Sequence, residues 1–501
     1  MGRVNVLYGG GRGYRVAADA ARMLEELTGT SWNTAVWDGM TDVNDKPPDP
    51  RLKKLLETEM PGIEVSYSAE VRLMHSVGKS SIELLGLKNG KIPKIVDAVV
   101  FPDSGNAGRL LEAARRNGIG IVIYGGGTSV TGGLRFGGEG YVLSLDTGRM
   151  KKMELRRNYA VLGAGLRGAE IEHELNRHGF TAGHFPESLD FSTVGGWVAT
   201  KSSGQESNEY GDIENLLLSV KLHRSDGVYQ DRISPRESAG VMAKDIAAGS
   251  EGRFGVITEV SMKVFPLPER RHFAAYVFRT FREGVESLSK MKTIPAVARL
   301  SDELETKFGF AGSSGSLGKS LLMRYLKMRR AENGALLVMV SNRPLEERPA
   351  DSVWVGPVPS RMWYRERYVR PYIANELWKR GIVTDTLETS ACWEDIPVIY
   401  AAASEWFSDA IGERGFRGAM MCHLSHIYTT GGCLYFTIIV KSGNEEEDLL
   451  AVRNGLIRCF MENGGSITHH HGLGSFLSGY LDEGKKRLAG TLADPVLSAG
   501  R

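Results

Sequence analysis

The chain has 501 residues, 42% of them hydrophobic and 24% charged, with a net charge of +2. That length can bury two or more cores, and the near-balance of charge excludes a dedicated nucleic-acid binder, which needs a concentrated basic face. Four cysteines, all in the last quarter and none in a Cys-x-x-Cys pair, exclude a disulfide framework and a zinc module, so reduced thiols in a cytoplasmic protein are expected.

In chain order, residues 3–27 combine a strand, a Gly-rich turn and a helix carrying Ala17, Ala18, Ala20, Ala21, Met23, Leu24 and Leu27. Gly9, Gly11 and Tyr14 break the Gly-x-Gly-x-x-Gly pattern, so this start is assigned a structural role. It lacks the apolar core of a signal peptide, and no later run is apolar enough to span a bilayer. Peripheral attachment to a membrane and a homodimeric assembly are both compatible with this composition. Pro47, Pro48 and Pro50 mark a linker. From Ala98 to Pro268, β-branched runs alternate with helical patterns such as Ala107 to Asn117. The expected class is therefore α+β, divided into an N-terminal extension (1–94), a first domain (95–268), a second α+β domain (269–445) and a tail (446–501) that returns to the first. Residues Gly312 to Ser320 imitate a P-loop but fail its spacing and lack a strand before it, which predicts a flexible loop.

Three loops in the first domain carry the chemistry. The apolar run ending in Ile123 and Tyr124 empties into Gly125, Gly126, Gly127, Thr128 and Ser129, where backbone N–H groups can cradle a pyrophosphate. Glu187, Ser188, Leu189, Asp190, Phe191, Ser192 and Thr193, followed by Thr200, Ser202 and Ser203, repeat the glycine-and-hydroxyl logic. So do Gly249, Ser250, Glu251, Gly252, Gly255, Val256 and Ile257. Three such loops suit a large bent cofactor with phosphates, a sugar chain and a ring.

Five of the eleven histidines fall in the last eighty residues: His423, His426, His469, His470 and His471, with Tyr428 among them. A strand leading out of Gly464 to Thr468 would aim His469 and His471 to one side and His470 to the other. His423-x-x-His426 has metal-ligand spacing, but no carboxylate or cysteine pattern completes it, so no metal is expected.

The order of these loops resembles the FAD-binding domain of the vanillyl-alcohol-oxidase (p-cresol-methylhydroxylase) type. The resemblance implies a two-part FAD-binding domain under an α+β substrate cap, with the three loops holding FAD. Thr128 stands where covalent members have a histidine, which implies non-covalent FAD. The segments Tyr210 to Leu216, Leu387 to Trp393, Gly432 to Phe436 and Gly464 to Gly472 are similar to the alkylglycerone-phosphate synthase family. That likeness implies a transferase of ether-lipid metabolism with a small, lipid-like substrate. Such an enzyme exchanges the acyl group of an acyl-dihydroxyacetone phosphate for a long-chain alcohol through flavin N5, with no net redox. It implies Tyr428 as acid–base residue, His469, His470 and His471 around the reacting end, and Arg299 toward the phosphate or the ring region; Arg370 is added as a further substrate residue.

Two departures stand out. Ala374-Asn375 replaces the family's Arg-Asp, and Ser475-Phe476-Leu477 replaces basic residues, so Arg365, Arg367 and Arg370 are the expected compensation. An FAD-linked D-2-hydroxy-acid dehydrogenase or oxidase, of the lactate or glycolate type, is the alternative. Its Gly-Asp-Gly-Asn-x-His and Gly-Glu-His-Gly patterns are absent here. A non-catalytic subunit would show eroded cofactor loops, and these loops are intact.

Overall fold

The computed structural model describes residues 2–43, 47–312 and 316–498, with the backbone alone for 316–319 and 498. In the first half, Glu64–Ser66, Ala98–Phe101, Val142–Asp146 and Gly120–Tyr124 form a four-stranded sheet in that order, the last three parallel. Parallel strands are covered on both faces. Ala98 and Val100 accordingly pack against Leu110 and Leu111 of helix Ala107–Arg116, while Val99 joins Val122 and Val142 in a second cluster on the other face. A five-stranded antiparallel sheet follows, in the order Gly227–Gln230, Leu217–Arg224, Val256–Lys263, Tyr159–Gly163 and Met153–Leu155. Trp197 of helix Val194–Thr200 is fully buried in the core that this sheet shares with the first.

The second half is a seven-stranded antiparallel sheet in the order Val353–Gly356, His272–Phe278, Ala335–Ser341, Val297–Ser301, Arg417–Tyr428, Gly431–Lys441, Val383–Cys392. Period-two alternation sorts its faces. Ala298, Leu300, Cys422, Leu424, Leu434, Phe436 and Ile438 enter a core with helices Phe281–Ser289, Ile396–Arg414 and Glu445–Glu462. Their alternates Val297, Arg299, Met421, His423, Tyr435, Thr437 and Ile439 line a cavity on the opposite face.

Of the expected flexible loop at Gly312–Ser320, the described residues are helical. Ser313, Ser314 and Gly315 lie outside the described residues, but Glu303–Gly312 and Ser316–Met328 are helices. Residues 316–328 contain neither proline nor a β-branched residue. Leu326 anchors their helix beside Val277 and Val353.

The ends of the chain tie the halves together. The tail crosses back to the first Gly-rich loop, where the N–H of Phe476 donates to Thr131 O at 3.2 Å. Asp385 Oδ2 and Arg453 Nη1 form a 2.6 Å ion pair with both side chains 3% exposed, and the Ser81 hydroxyl donates to Asp385 Oδ1 at 2.9 Å. Removing one member of a buried pair strands the other charge. Arg453→Met is therefore expected to lower unfolding stability by about 3–5 kcal/mol. Adding Asp385→Asn should recover part of that loss, as read from urea melts of the two variants.

Candidate active site

A cavity of about 580 Å³ runs between the halves. One wall is the turn after Gly120–Tyr124, pressed by its glycines onto the second loop. A Cβ at Gly126 would lie 2.2 Å from Phe191 O, and one at Gly125 would lie 2.6 Å from Thr193 Oγ1. Gly127 has φ +64°, a region that disfavours side chains. Among the described residues, the N–H groups of Gly126, Gly127 and Thr128 have no acceptor. Orphan amides on a glycine turn form a nest for an anion. Ser129 is engaged within its own loop, its Oγ accepting from the N–H of Gly133 at 3.0 Å.

The remaining loop residues divide between wall and support. Ile123, Glu187, Ser188, Ser192, Thr193, Thr200, Ser202, Ser203, Gly252, Gly255 and Ile257 line the cavity. Tyr124, Leu189, Asp190, Phe191, Gly249, Ser250 and Val256 are not on its wall. Leu189 and Val256 are buried in the core, and Phe191 meets Tyr8 edge-on at 5.0 Å. Glu251 touches the cavity, and its carboxylate accepts the N–H groups of Leu473 and Gly474, both at 2.8 Å, which anchors the tail.

Arg299 and Arg370 reach the same cavity from the second half. Arg299 is already paired, with Nη2 2.6 Å from Glu305 Oε1, and His423 Nδ1 lies 3.4 Å from that oxygen. Burial opposes the charge on Glu305, yet Arg299 and His423 hold it far below the ordinary carboxylate range. Arg370 pairs with Glu366 at 3.6 Å, and burial together with Arg299 lowers its affinity for a proton against the pull of Glu366 and Glu305. Of the other arginines, Arg365 is not on the wall. Arg367 is, but it stacks on Tyr364 at 3.5 Å and points toward buried Glu206.

A β-bulge builds the reacting end. Pairing of Arg417–Tyr428 with Gly431–Lys441 slips between Ser425 and Tyr428, and His426 adopts φ +48°. Bulges re-aim side chains. His426 turns into the cavity, with Nδ1 2.8 Å from Ser207 Oγ, and the N–H of Ile427 donates to Asn208 Oδ1 at 2.8 Å. The Tyr428 hydroxyl reaches Asp212 Oδ2 and His469 Nε2, each at 2.7 Å.

The histidine triplet is not on a strand. Residues 463–473 are irregular because the buried Glu388 carboxylate gathers their donors: the Thr468 hydroxyl at 2.6 Å, the N–H of His470 at 3.1 Å, that of His471 at 3.0 Å, and that of His469. A carboxylate with backbone donors on one side leaves no ladder for a partner strand. The expected alternation is replaced by a different division. His470 and His471 line the cavity, whereas His469 turns to Tyr428, and neither Tyr428 nor His469 is on the wall. His469 Nδ1 and His470 Nδ1 are 2.9 Å apart. Burial, then the neighbouring histidines, drives His426 and His470 well below the ordinary imidazole range, so both are neutral at pH 7.

Sequence reasoning missed Tyr8, Lys79 and Glu305 on the wall, and the roles of Asp212 and Glu388 behind it, whereas His426, one of the clustered histidines, is on the wall. A signal for Tyr8 existed in Asn375, which departs from the family pattern. Its side-chain amide donates to Tyr8 O and Arg12 O, both at 2.9 Å, and fastens the N-terminal turn to the cavity.

Residues 96–231 match the FAD binding domain model, and residues 267–490 match that of the FAD linked oxidases C-terminal domain. The chain is 31% identical over 434 residues to an alkyldihydroxyacetonephosphate synthase of Dictyostelium discoideum, covering 80% of this chain and 71% of that one. The chain belongs to this family. The namesake enzyme of Trypanosoma brucei brucei is 30% identical, covering 82% and 72%. A solved alkyldihydroxyacetonephosphate synthase structure superposes with a TM-score of 0.79 at 26% identity, covering 95% of this chain and 89% of that one. The α+β fold is thus that of the FAD-linked flavoenzymes, the chain is an FAD-dependent enzyme, and FAD is its cofactor. The unpartnered amides of Gly126 to Thr128, opening on a glycine-walled cavity, fit a diphosphate.

Beneath the second loop, His184 is fully buried, with Nε2 2.8 Å from Ser202 Oγ, and burial pushes its pKa down to about 3. A depressed folded-state pKa contributes stability that is present above the unfolded value near 6.5 and lost as pH falls toward 3. His184→Gln, which keeps a neutral hydrogen-bonding group, should flatten that acid limb. Urea melts at pH 7 and pH 4.5 should show wild type losing roughly 1–3 kcal/mol more than the variant.

Proposed function

We propose that the chain exchanges the acyl group of an acyl-dihydroxyacetone phosphate for a long-chain alcohol, releasing a fatty acid and leaving an ether. The observation that carries this reading is the convergence, in one glycine-walled cavity, of a cationic pair and neutral imidazoles. Residues 95–268 would form the FAD-binding part and 269–445 the cap. Gly125 to Ser129, Glu187, Ser188, Ser192, Thr193, Thr200, Ser202, Ser203, Gly252, Gly255 and Ile257 would hold FAD without a covalent bond. When bound, FAD supplies an electron-accepting ring beside the substrate carbon. Arg370, and Arg299 through its exchange with Glu305, bind the phosphate. His470 and His471, neutral and on the wall, take the proton of the incoming alcohol and return it to the departing carboxylate. Tyr428 works with them through His469. Overall one C–O bond breaks and another forms, so no oxidant is consumed.

An anaerobic assay tests this. Acyl-for-alkyl exchange on acyl-dihydroxyacetone phosphate without lasting bleaching of the flavin supports the transferase. Bleaching by D-lactate or glycolate would instead make the chain a hydroxy-acid dehydrogenase. Tyr428→Phe should reduce exchange about 10²–10⁴-fold while FAD stays bound. An active variant would remove Tyr428 from the mechanism.

Peripheral membrane attachment belongs to the same reading. No helix among the described residues is long and apolar enough to cross a membrane. Helix Ser316–Met328, however, presents Leu321, Tyr325 and Met328 at i, i+4 and i+7, at 67%, 38% and 77% exposure. Arg324, Lys327, Arg329 and Arg330 flank this stripe, and no acidic residue lies between Ser313 and Ala331. A basic amphipathic helix suits an anionic bilayer surface. The helix before it carries Phe308 and Gly309 on the cavity wall, so lipid substrate would enter nearby. Co-sedimentation with vesicles containing phosphatidylserine should exceed that with neutral vesicles, fall with salt, and fall at least several-fold in Leu321→Glu/Met328→Glu.

A further inference from the structure

The proton-bearing groups of the site extend beyond the cavity. His470 is on the wall, His469 Nδ1 lies 2.9 Å behind its Nδ1, the Tyr428 hydroxyl is 2.7 Å from His469 Nε2, and Asp212 Oδ2 is 2.7 Å from that hydroxyl. Tyr428 is 37% exposed but Asp212 is buried at 8%, so the line leads from the cavity into the seam behind it. The four members come from three different parts of the chain. The triplet loop is held by Glu388, Tyr428 is set by the bulge, and Asp212 opens the short helix Ile213–Leu216, its own N–H donating to Asn215 Oδ1 at 3.0 Å. Convergence of three separate segments on hydrogen-bonding distances is a built feature rather than a local accident.

The hydrogen bonds admit one consistent polarity. Asp212, as a carboxylate, only accepts, so Tyr428 donates to it. The Tyr428 oxygen then accepts from His469 Nε2–H, which leaves His469 Nδ1 as acceptor for His470 Nδ1–H. We propose that Asp212 is the far end of a proton relay, His470–His469–Tyr428–Asp212, and the positioning residue that keeps Tyr428 a proton donor facing away from the cavity. The proposal deepens the exchange reading and rests on it for the identity of the proton carried.

The balance is simple. A proton entering His470 at its cavity-facing nitrogen releases the Nδ1 proton to His469, which passes its Nε2 proton to the Tyr428 oxygen, which yields its own to Asp212. One proton moves, no electron does, and every heavy-atom bond is kept. The reverse passage protonates the departing carboxylate. The alcohol's proton is thus stored and returned without an external acid.

The groups facing the Tyr428 hydroxyl are Asp212, Glu214, Cys433 and His469, with Lys201 beside Glu214. Burial first, then the Asp212 charge, raises the Tyr428 pKa above its ordinary value. Asp212→Asn keeps an acceptor for the hydroxyl and removes the charge. Phenolate absorbance near 295 nm, with the matching Tyr428→Phe variant subtracted, reports this one tyrosine without any assay of turnover. In wild type the difference should stay flat from pH 7 to 11, and in Asp212→Asn one phenolate should appear within that range. Asp212→Glu should restore the flat trace, and Asp212→Ser replaces Asp212→Asn if the latter does not fold. The alkaline limb of the exchange-rate profile should move to lower pH in the uncharged variants and back in Asp212→Glu. A flat difference in both uncharged variants, or a titrating Tyr428 in wild type, overturns the relay. Absence of exchange with a shifted phenolate would overturn the substrate assignment and leave the Asp212–Tyr428 coupling standing.

Discussion

One buried carboxylate organises the reacting end. Glu388 sits on the last strand of the second sheet, fully enclosed, and satisfies the donors of Thr468, His469, His470 and His471 at once. Burial alone would favour its neutral form, but nearby His471 and His469 and the converging donors hold its pKa below the ordinary value. A charged acceptor ringed by backbone amides is worth more than a neutral one, and losing it would leave several buried donors unpaired. The three imidazoles diverge because their backbone is drawn to a point. Two enter the cavity and the third turns outward.

The second constraint is the seam between the halves. Ser207, Asn208 and Asp212 lie on consecutive short segments of the first half, and they receive His426, Ile427 and Tyr428 from the bulge of the second. A non-glycine residue at positive φ costs of order 1–3 kcal/mol and persists where surroundings over-determine it. His426 meets that condition, with one ring nitrogen fixed by Ser207 and its neighbour's amide fixed by Asn208. The strain is stored where a regular strand would have pointed His426 and Tyr428 elsewhere.

Much of this was legible in the residue order. Glycine in runs announces close backbone approach, and the loops at 125–129 and 187–193 do pack together, because side chains at Gly125 and Gly126 would collide with Thr193 and Phe191, while Gly252 of the third loop lies against Ile123. Alternation along the cap strands also reads directly, since Leu424 and Phe436 face the helices while His423 and Tyr435 face the cavity. What stayed hidden depends on distant partners. Nothing local in Glu388 distinguishes it from a strand residue on a solvated face, and nothing in Asp212 points to a tyrosine 216 residues away. The histidine triplet was misread as a strand because period-two reasoning assumes a neighbouring strand, and its actual neighbour is one carboxylate. Helix Ser316–Met328 was misread because Gly312, Gly315 and Gly318 imitate loop chemistry, whereas Leu326 supplies an anchor that composition does not reveal.

The electrostatics of the cavity then follow from how each charge is matched. Arg299 is balanced by Glu305, and the imidazoles are neutral because burial and mutual repulsion forbid their charging. Glu187 opens on the same space. Arg370, partly exposed, is left as a cation facing Glu366 at 3.6 Å, with Glu305 also favouring its charge. An anion entering beside it gains a charge-assisted contact. Ala374, which also lines the cavity, adds no charge, so recognition of a phosphate by this chain leans on Arg370 and on the ability of Arg299 to trade Glu305 for it. The neutral imidazoles are the complement of that arrangement. A proton taken up by His470 would meet the same repulsion that keeps it neutral, which favours passing it outward through His469 and Tyr428 over holding it at the cavity wall.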